Sequence, residues 1–386
     1  MTIYEMLFRE DIYGILENTL KEYYKKVFNE IVDVRVERSI LKNYYVIYPR
    51  LGVAMARIPS ASVLRDIYMQ FNVQGNWMRK LIAWGYITFC VLTLGLLGSR
   101  TLYIGSEVYH DRKVYFMPCN RKIRVFNYRK GYVDAILKVG FNDNCFKKEL
   151  KYRQQPEFGF IPGLLNYGDR WYRETIIRGS GLVRLPEPYY SEKVEEIKRL
   201  LKPFYESHKY ITSAEEYCKK LSHIIESRIP ILVNEKHIDT TDYLLEVVNH
   251  CLEVVSNKDE NVPMVISHGD LQTGNILIEE TSGKVYIYDW ETAGERSVWY
   301  DMGRFMLYSQ RRDKYAHMVN HRDEKPVKAA LLTFDENKER NMDVVIATLV
   351  LEEIVAFIDE ICDLPGQMGT EILDRLTEEL KRTFLY

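Results

Sequence analysis

A chain of 386 residues, 46% apolar and 28% charged, has the balance of a globular protein, which excludes a disordered one. A formal net charge of −2, without any long run of Lys or Arg, excludes the electrostatic footprint of a nucleic-acid-binding protein. The six cysteines (Cys90, Cys119, Cys145, Cys218, Cys251, Cys362) form no CxxC pair and no zinc-spaced cluster, so they read as buried thiols of a reducing compartment.

Along the chain, Glu5, Glu10 and Asp11 stand where a secretory signal would need a basic start and an apolar core, and a cytoplasmic location is expected. From Ile3 to Val32 apolar residues recur at helical spacing (Leu7, Ile12, Leu16, Leu20, Tyr23, Val27), which predicts one or two amphipathic helices. Tyr44 to Ala54 is strand-like and Ser60 to Leu97 helical. Within the latter, Leu81 to Gly98 carries no charge, is flanked by Arg79, Lys80 and Arg100, and just reaches membrane-spanning length. Its three glycines, two threonines, Tyr86 and Cys90 favour a buried helix over a membrane span or a membrane-surface segment.

After Thr101 short apolar segments alternate with polar turns: Leu102 to Ile104, Lys113 to Met117, Ile123 to Tyr128 and Tyr132 to Val139. A helix is predicted at Asn144 to Gln154, then strands at Leu164 to Tyr167 and Trp171 to Ile177. Strand, strand, strand, helix, strand, strand is the order of a kinase small lobe. Beyond a Gly- and Pro-bearing hinge at Gly179 to Pro188 the pattern turns helical, near Ser191 to Leu201, Ala214 to Arg228, Thr240 to Val255, Asn341 to Cys362 and Thr370 to Phe384.

Inside the helical half lies one strand-rich island. Two apolar strands bracket the loop Ser267-His-Gly-Asp-Leu-Gln-Thr-Gly-Asn275, and the next strand ends in Asp289-Trp-Glu291. Phosphoryl transfer from a nucleotide needs a carboxylate to accept the hydroxyl proton and oxygen ligands to hold magnesium against the phosphates. Asp270 and Asn275, five residues apart, have the spacing of the kinase catalytic-loop Asp and Asn, and Asp289 follows in the place of the metal-binding Asp.

His268 to Leu277 (HGDLQTGNIL) followed by Tyr288 to Glu291 (YDWE) resembles the aminoglycoside phosphotransferase and choline kinase family. The resemblance implies an α+β, protein-kinase-like two-lobed fold and an ATP-dependent phosphotransferase whose acceptor is the hydroxyl of an amino alcohol, aminoglycoside or sugar. Residues 1–105 would then be an α-rich N-terminal extension, 106–180 a small antiparallel-sheet N-lobe, and 181–386 a mainly helical C-lobe. Carried over by position, Asp270 is the catalytic base, Asn275 and Asp289 hold Mg2+, and His268 and Asp301 support the loop. Gln272 to Gly274 departs from the family's His-Pro-Gly.

In the small lobe, Ala135-Ile-Leu-Lys138 resembles the strand whose Lys steadies the nucleotide phosphates, with Glu149 as its helix partner. The phosphate-covering turn, Pro118 to Ile123, has no glycine; Arg121 and Lys122 either compensate by charge or form a solvated turn. Glu174 to Gly179 is expected to lead into the hinge that meets the purine of ATP or GTP. On the helix near 350, Glu352, Glu353, Asp359, Glu360 and Asp363 read as a solvated face in preference to a cation-attracting one. The competing readings are a non-catalytic nucleotide-binding scaffold, a protein kinase, and a kinase of a surface-polysaccharide or lipid-linked sugar. The expected partners are nucleotide and small-molecule substrate, without nucleic acid.

Overall fold

The computed structural model describes residues 3–8, 10–38, 45–70, 77–105, 110–154, 158–232, 238–256, 258–308, 314–363 and 376–381. The helix expected at Thr370 to Phe384 therefore lies largely outside the described residues. By their internal contacts the residues form two units, 1–190 with 277–288, and 191–276 with 289–386.

The first unit opens with α1 (Ile3–Met6) and α2 (Ile12–Phe28). Asp11 caps α2 by accepting a hydrogen bond from Gly14 N, and Asn29 ends it in the left-handed conformation at φ 57°. There follow β1 (Val34–Glu37), β2 (Tyr45–Tyr48), β3 (Val53–Ala56), α3 (Ala61–Gln70), α4 (Trp77–Leu92) and β4 (Arg100–Ile104). Then come β5 (Val114–Pro118), β6 (Lys122–Asn127), β7 (Tyr132–Leu137), α5 (Asn144–Arg153), β8 (Leu164–Gly168), β9 (Trp171–Thr175) and β10 (Gly179–Gly181). The strand-strand-strand-helix-strand-strand order expected from the sequence is β5 to β9 with α5.

Residues 1–105, rich in helix, also extend this sheet. Their four strands join the other five in one antiparallel nine-stranded sheet of order β1-β4-β2-β3-β5-β6-β7-β9-β8. Side chains alternate across a strand, so each strand feeds two cores. Tyr45 and Ile47 of β2 pack with α2 and with Phe116, Ile123 and Ile136. Val46 and Tyr48, one residue out of phase, pack with Val63 and Ile67 of α3, Ile87 and Cys90 of α4, and Tyr115. The uncharged stretch near α4 is thus only half a buried helix: one face enters this core, while Leu81, Ile82, Phe89 and Leu92 are exposed. Among the described residues no helix is long and apolar enough to cross a membrane.

The second unit holds α6 (Tyr189–Glu206), β11 (Tyr210–Ser213), α7 (Ala214–Leu232), α8 (Ile238–Ser256) and β12 (Asn261–Ser267). The chain returns to the first unit for β13 (Ile276–Glu279) and β14 (Val285–Ile287), which form a small sheet with β10. Gly179 is required there, because a Cβ would lie 2.0 Å from the Ile278 carbonyl oxygen. Back in the second unit, β15 (Gly294–Ser297) pairs with β12, itself paired with β11, and α9 (Tyr300–Tyr308), α10 (Lys314–Asn320), α11 (Lys325–Leu331) and α12 (Met342–Asp363) follow. Helix α12 packs on α7 and α8, and carries polar side chains inward toward β15.

Among the described residues no cysteine forms a disulfide; Cys90, Cys218 and Cys251 are buried as expected, whereas Cys119 and Cys145 are half-buried and Cys362 is exposed.

Candidate active site

The loop after β12 is held by one carboxylate. Asp301, at the start of α9 and 1% exposed, accepts from the Ser267 hydroxyl and Gly269 N at Oδ1, both 2.9 Å. Its Oδ2 accepts from the Tyr205 hydroxyl at 2.5 Å and from His268 N at 2.6 Å. Burial and the neighbouring Asp301 push the Tyr205 hydroxyl pKa upward, so Tyr205 stays a donor. Gly269 adopts φ +84°, and a Cβ there would lie 2.3 Å from the Thr292 carbonyl oxygen, so glycine is needed between His268 and Asp270. His268 is fully buried, with Nδ1 accepting from Asp270 N at 3.2 Å and its ring edge-on to Trp290 at 4.6 Å.

This loop presents Asp270, whose two oxygens are separately engaged. Oδ2 accepts from Gln272 Nε2 at 2.8 Å and Asn275 Nδ2 at 3.0 Å, and Asn275 Nδ2 also reaches the Asp270 carbonyl at 2.9 Å. Using its amide nitrogen in this way leaves Asn275 its Oδ1 as an acceptor. Oδ1 of Asp270 accepts from Arg304 Nη2 at 2.8 Å. The other end of that guanidinium donates to Glu353 Oε2, also at 2.8 Å. Sequence reasoning passed over Arg304, although it stands one helical turn after Asp301 and so faces the same side of α9.

Glu352 and Glu353 correct the expectation of a solvated acidic face, since each is 2% exposed. Adjacent helical residues point about 100° apart, and the two serve different partners. Glu353 meets Arg304, whereas Glu352 accepts from Ser297 N at 2.5 Å, Ser297 Oγ at 2.7 Å and the Tyr217 hydroxyl at 2.7 Å. Burial raises the Glu352 carboxyl to about 7, against the lowering effect of those three donors.

Asp289 follows β14 and starts the helical turn Trp290–Thr292 with φ +66°, a conformation uncommon for any residue with a Cβ. Carboxylate oxygens of Asp289 and Glu291 lie within 4.8 Å of each other.

In the first unit the expected pairing changes partners. Lys138 is fully buried and its ammonium bonds to Glu10 Oε1 at 2.6 Å and to Met6 Sδ at 3.7 Å. Glu149 of α5 instead takes Lys122 Nζ at 2.7 Å, and the Tyr172 hydroxyl at 2.9 Å. The reason is strand parity. Lys122 lies directly opposite Leu137 in the β6–β7 register, so Lys122 and Leu137 share a face and Lys138 falls on the other, with Ile136 and α2.

Of the two readings left open for Arg121 and Lys122, a solvated turn does not hold, since they are 7% and 8% exposed. Arg121 Nη1 reaches Cys145 Sγ at 3.1 Å. Glu174 is buried between Arg124, at 2.6 Å, and Arg153, and these arginines hold its carboxyl below the ordinary range in spite of burial.

Residues 190–335 match the family model of choline/ethanolamine kinases. No curated protein matches the chain. Solved structures similar to it include choline kinase LicA from Streptococcus pneumoniae, 13% identical over 72% of this chain and 91% of that one, with a TM-score of 0.41. An ethanolamine kinase from Plasmodium vivax is 12% identical over 83% of this chain and 95% of that one, with a TM-score of 0.45. The aminoglycoside phosphotransferase APH(3'')-Id from Streptomyces rimosus is 12% identical over 61% of this chain and 92% of that one, with a TM-score of 0.37.

The family match, joined to the order of elements, defines the class: a small-molecule phosphotransferase of protein-kinase-like fold, with a nucleotide donor and a hydroxyl acceptor. Within that class, the resemblance to the aminoglycoside phosphotransferase and choline kinase family stands.

Two outcomes follow from the second unit. Arg304→Lys keeps the charge but not the two-ended fork, and is expected to lower kcat by about tenfold with KM for ATP little changed, read from initial rates alongside a thermal melt. Glu352, with its folded-state pKa of about 7 above the ordinary 4.5, contributes stability that is complete below about pH 4.5 and lost as pH rises through about 7. Glu352→Gln should remove that slope, so denaturant titrations at pH 5 and pH 8 should show the wild type losing on the order of 3 kcal/mol more than the variant.

Proposed function

We propose that the protein transfers the γ-phosphoryl group of ATP to the hydroxyl of a small amino alcohol. The observation that carries this reading is the Asp270 carboxylate, fixed at both oxygens by Arg304, Gln272 and Asn275 in a loop tied to Asp301. A carboxylate so held can orient the acceptor hydroxyl and take its proton as the oxygen attacks the phosphorus in line. The amino-alcohol preference rests on the choline/ethanolamine kinase match over residues 190–335.

Asn275 Oδ1 and the Asp289 carboxylate are hard oxygen donors of the kind Mg2+ takes, and Glu291 beside Asp289 supports that assignment. Bound there, the cation would neutralise charge on the phosphate oxygens. Lys122, held by Glu149, is assigned the phosphate-steadying role that the sequence pattern gave to Lys138. Arg121, Glu174 and the backbone beyond it would shape the nucleotide side, and His268 and Asp301 act through the loop they brace.

A magnesium-ATP consumption screen over choline, ethanolamine, aminoglycosides and monosaccharides tests the class of acceptor. Turnover is expected with an amino alcohol; turnover confined to monosaccharides would refute the preference. Asp270→Asn should lose on the order of 10³-fold in kcat while ATP still raises the melting temperature, and undiminished turnover would remove Asp270 as the base. Lys122→Met is expected to cost about 10²-fold in kcat/KM for ATP, whereas Lys138→Met should lower stability and leave kcat/KM within about twofold. The opposite pattern would return the role to Lys138.

A further inference from the structure

The first unit carries an apolar surface that neither its fold nor the chemistry uses. On α4 the side chains of Met78, Leu81, Ile82, Phe89 and Leu92, at about 100° per residue, fall on one side of the helix and form one exposed face, with Ile82 66% and Leu92 74% exposed. The opposite face, with Ile87 and Cys90, is packed into the core, so the exposed one is held in a fixed orientation. Apolar residues scattered singly over a surface need no explanation, but a contiguous ordered patch does.

The turn that follows enlarges the patch by construction. Gly98 sits where a Cβ would lie 2.2 Å from Val46 Cγ1, and Gly95, at φ +95°, where it would lie 2.8 Å from Val46 Cγ2. With both glycines pressed onto Val46, the leucines between and before them turn outward: Leu94 is 52%, Leu96 67% and Leu97 39% exposed. Leu94 itself takes φ +50°, a conformation that L residues with a γ-branched side chain rarely adopt. A strained turn that displays leucines to solvent indicates a surface selected for contact.

Charge narrows the partner. From Ile67 to Ser106 there is no Asp or Glu, while Arg79, Lys80 and Arg100 are present, in a chain whose overall charge is −2. Lys80 Nζ lies 4.6 Å from the Trp84 ring centroid, and Trp77 at the start of α4 is 70% exposed. Outward leucines and a phenylalanine flanked by Trp and basic residues are the composition of a helix lying in a lipid headgroup boundary. Two copies meeting through this face would set one acid-free basic stretch against the other, which disfavours self-association.

We propose that α4 and the Thr93–Gly98 turn dock this protein, in the plane of the surface and without spanning it, onto an anionic lipid bilayer. The inference is independent of the catalytic reading, since none of these residues belongs to the proposed chemistry.

Flotation of the full chain with vesicles tests it. The wild type should float with vesicles of equal parts phosphatidylcholine and phosphatidylglycerol, less with phosphatidylcholine alone, and less again as salt is raised. Emission from Trp77 should shift to the blue when the mixed vesicles are added. The double variant Leu92→Glu with Leu96→Glu, at two outward positions, should reduce partitioning by at least about tenfold while the thermal melt and ATP turnover stay at wild-type values. Absence of both flotation and emission shift in the wild type would overturn the proposal. So would equal flotation of wild type and variant, or sedimentation showing a wild-type dimer that the double variant dissociates.

Discussion

Four donors converge on the Asp301 carboxylate, and the geometry of the candidate catalytic loop depends on that convergence. Two of the donors are consecutive backbone amides, His268 N and Gly269 N, and the other two are the hydroxyls of Ser267 and Tyr205. A buried carboxylate without donors is costly, and hydrogen bonds to a charged group are worth about 1.5–3 kcal/mol each, so the loop gains its definition by satisfying Asp301. The chain just before Asp270 is thereby fixed, and Asp270 is aimed by a backbone that has little freedom left. Gly269 is part of the same constraint: the space a Cβ would need is occupied by the Thr292 carbonyl.

A second layer of charge lies behind the first. Arg304 joins Asp270 to Glu353, and the neighbouring Glu352 braces Ser297 at the end of β15. Helix α12 thus contributes to the site from a distance through two carboxylates that leave it in different directions. Polar groups buried in this way stabilise only when each has its partner, and here the partners come from β15, α7 and α9. The cost of the arrangement is visible in Glu352, whose carboxyl is raised to about 7 by burial even with three donors on it.

In the first unit the governing constraint is the two-residue period of a strand. One residue past β7 is enough to send Lys138 to the side of α2, where Glu10 neutralises it, while Lys122 on the facing strand takes Glu149. The same alternation divides the apolar residues between two cores and lets one sheet carry α2 on one face and α3 with α4 on the other. The nine-stranded sheet therefore does more than hold an α-rich extension in place: its β2 strand provides Val46, the anchor for the turn that carries the outward leucines.

By itself the sequence determined what depends on near neighbours. Helical periodicity located α2, α5, α7, α8 and α12, because the apolar spacing of an amphipathic helix is written within one or two turns. The order of β5 to β9 with α5 was legible for the same reason. The loop that carries Asp270 and Asn275, with Asp289 after the next hairpin, stood out as a candidate site in the same way, since these residues are close along the chain. Tertiary structure decided what depends on facing and on distant pairing. Lys122 and Lys138 are indistinguishable as side chains, and only strand register tells which meets Glu149. Glu352 and Glu353 read as solvent-facing until Ser297, Tyr217 and Arg304, between 49 and 135 residues away from their partners along the chain, are folded against them. A helix such as α4, without a charge after Lys80, has no charged side along most of its length to mark its outside, so which of its faces would be left uncovered was settled by the sheet beneath it.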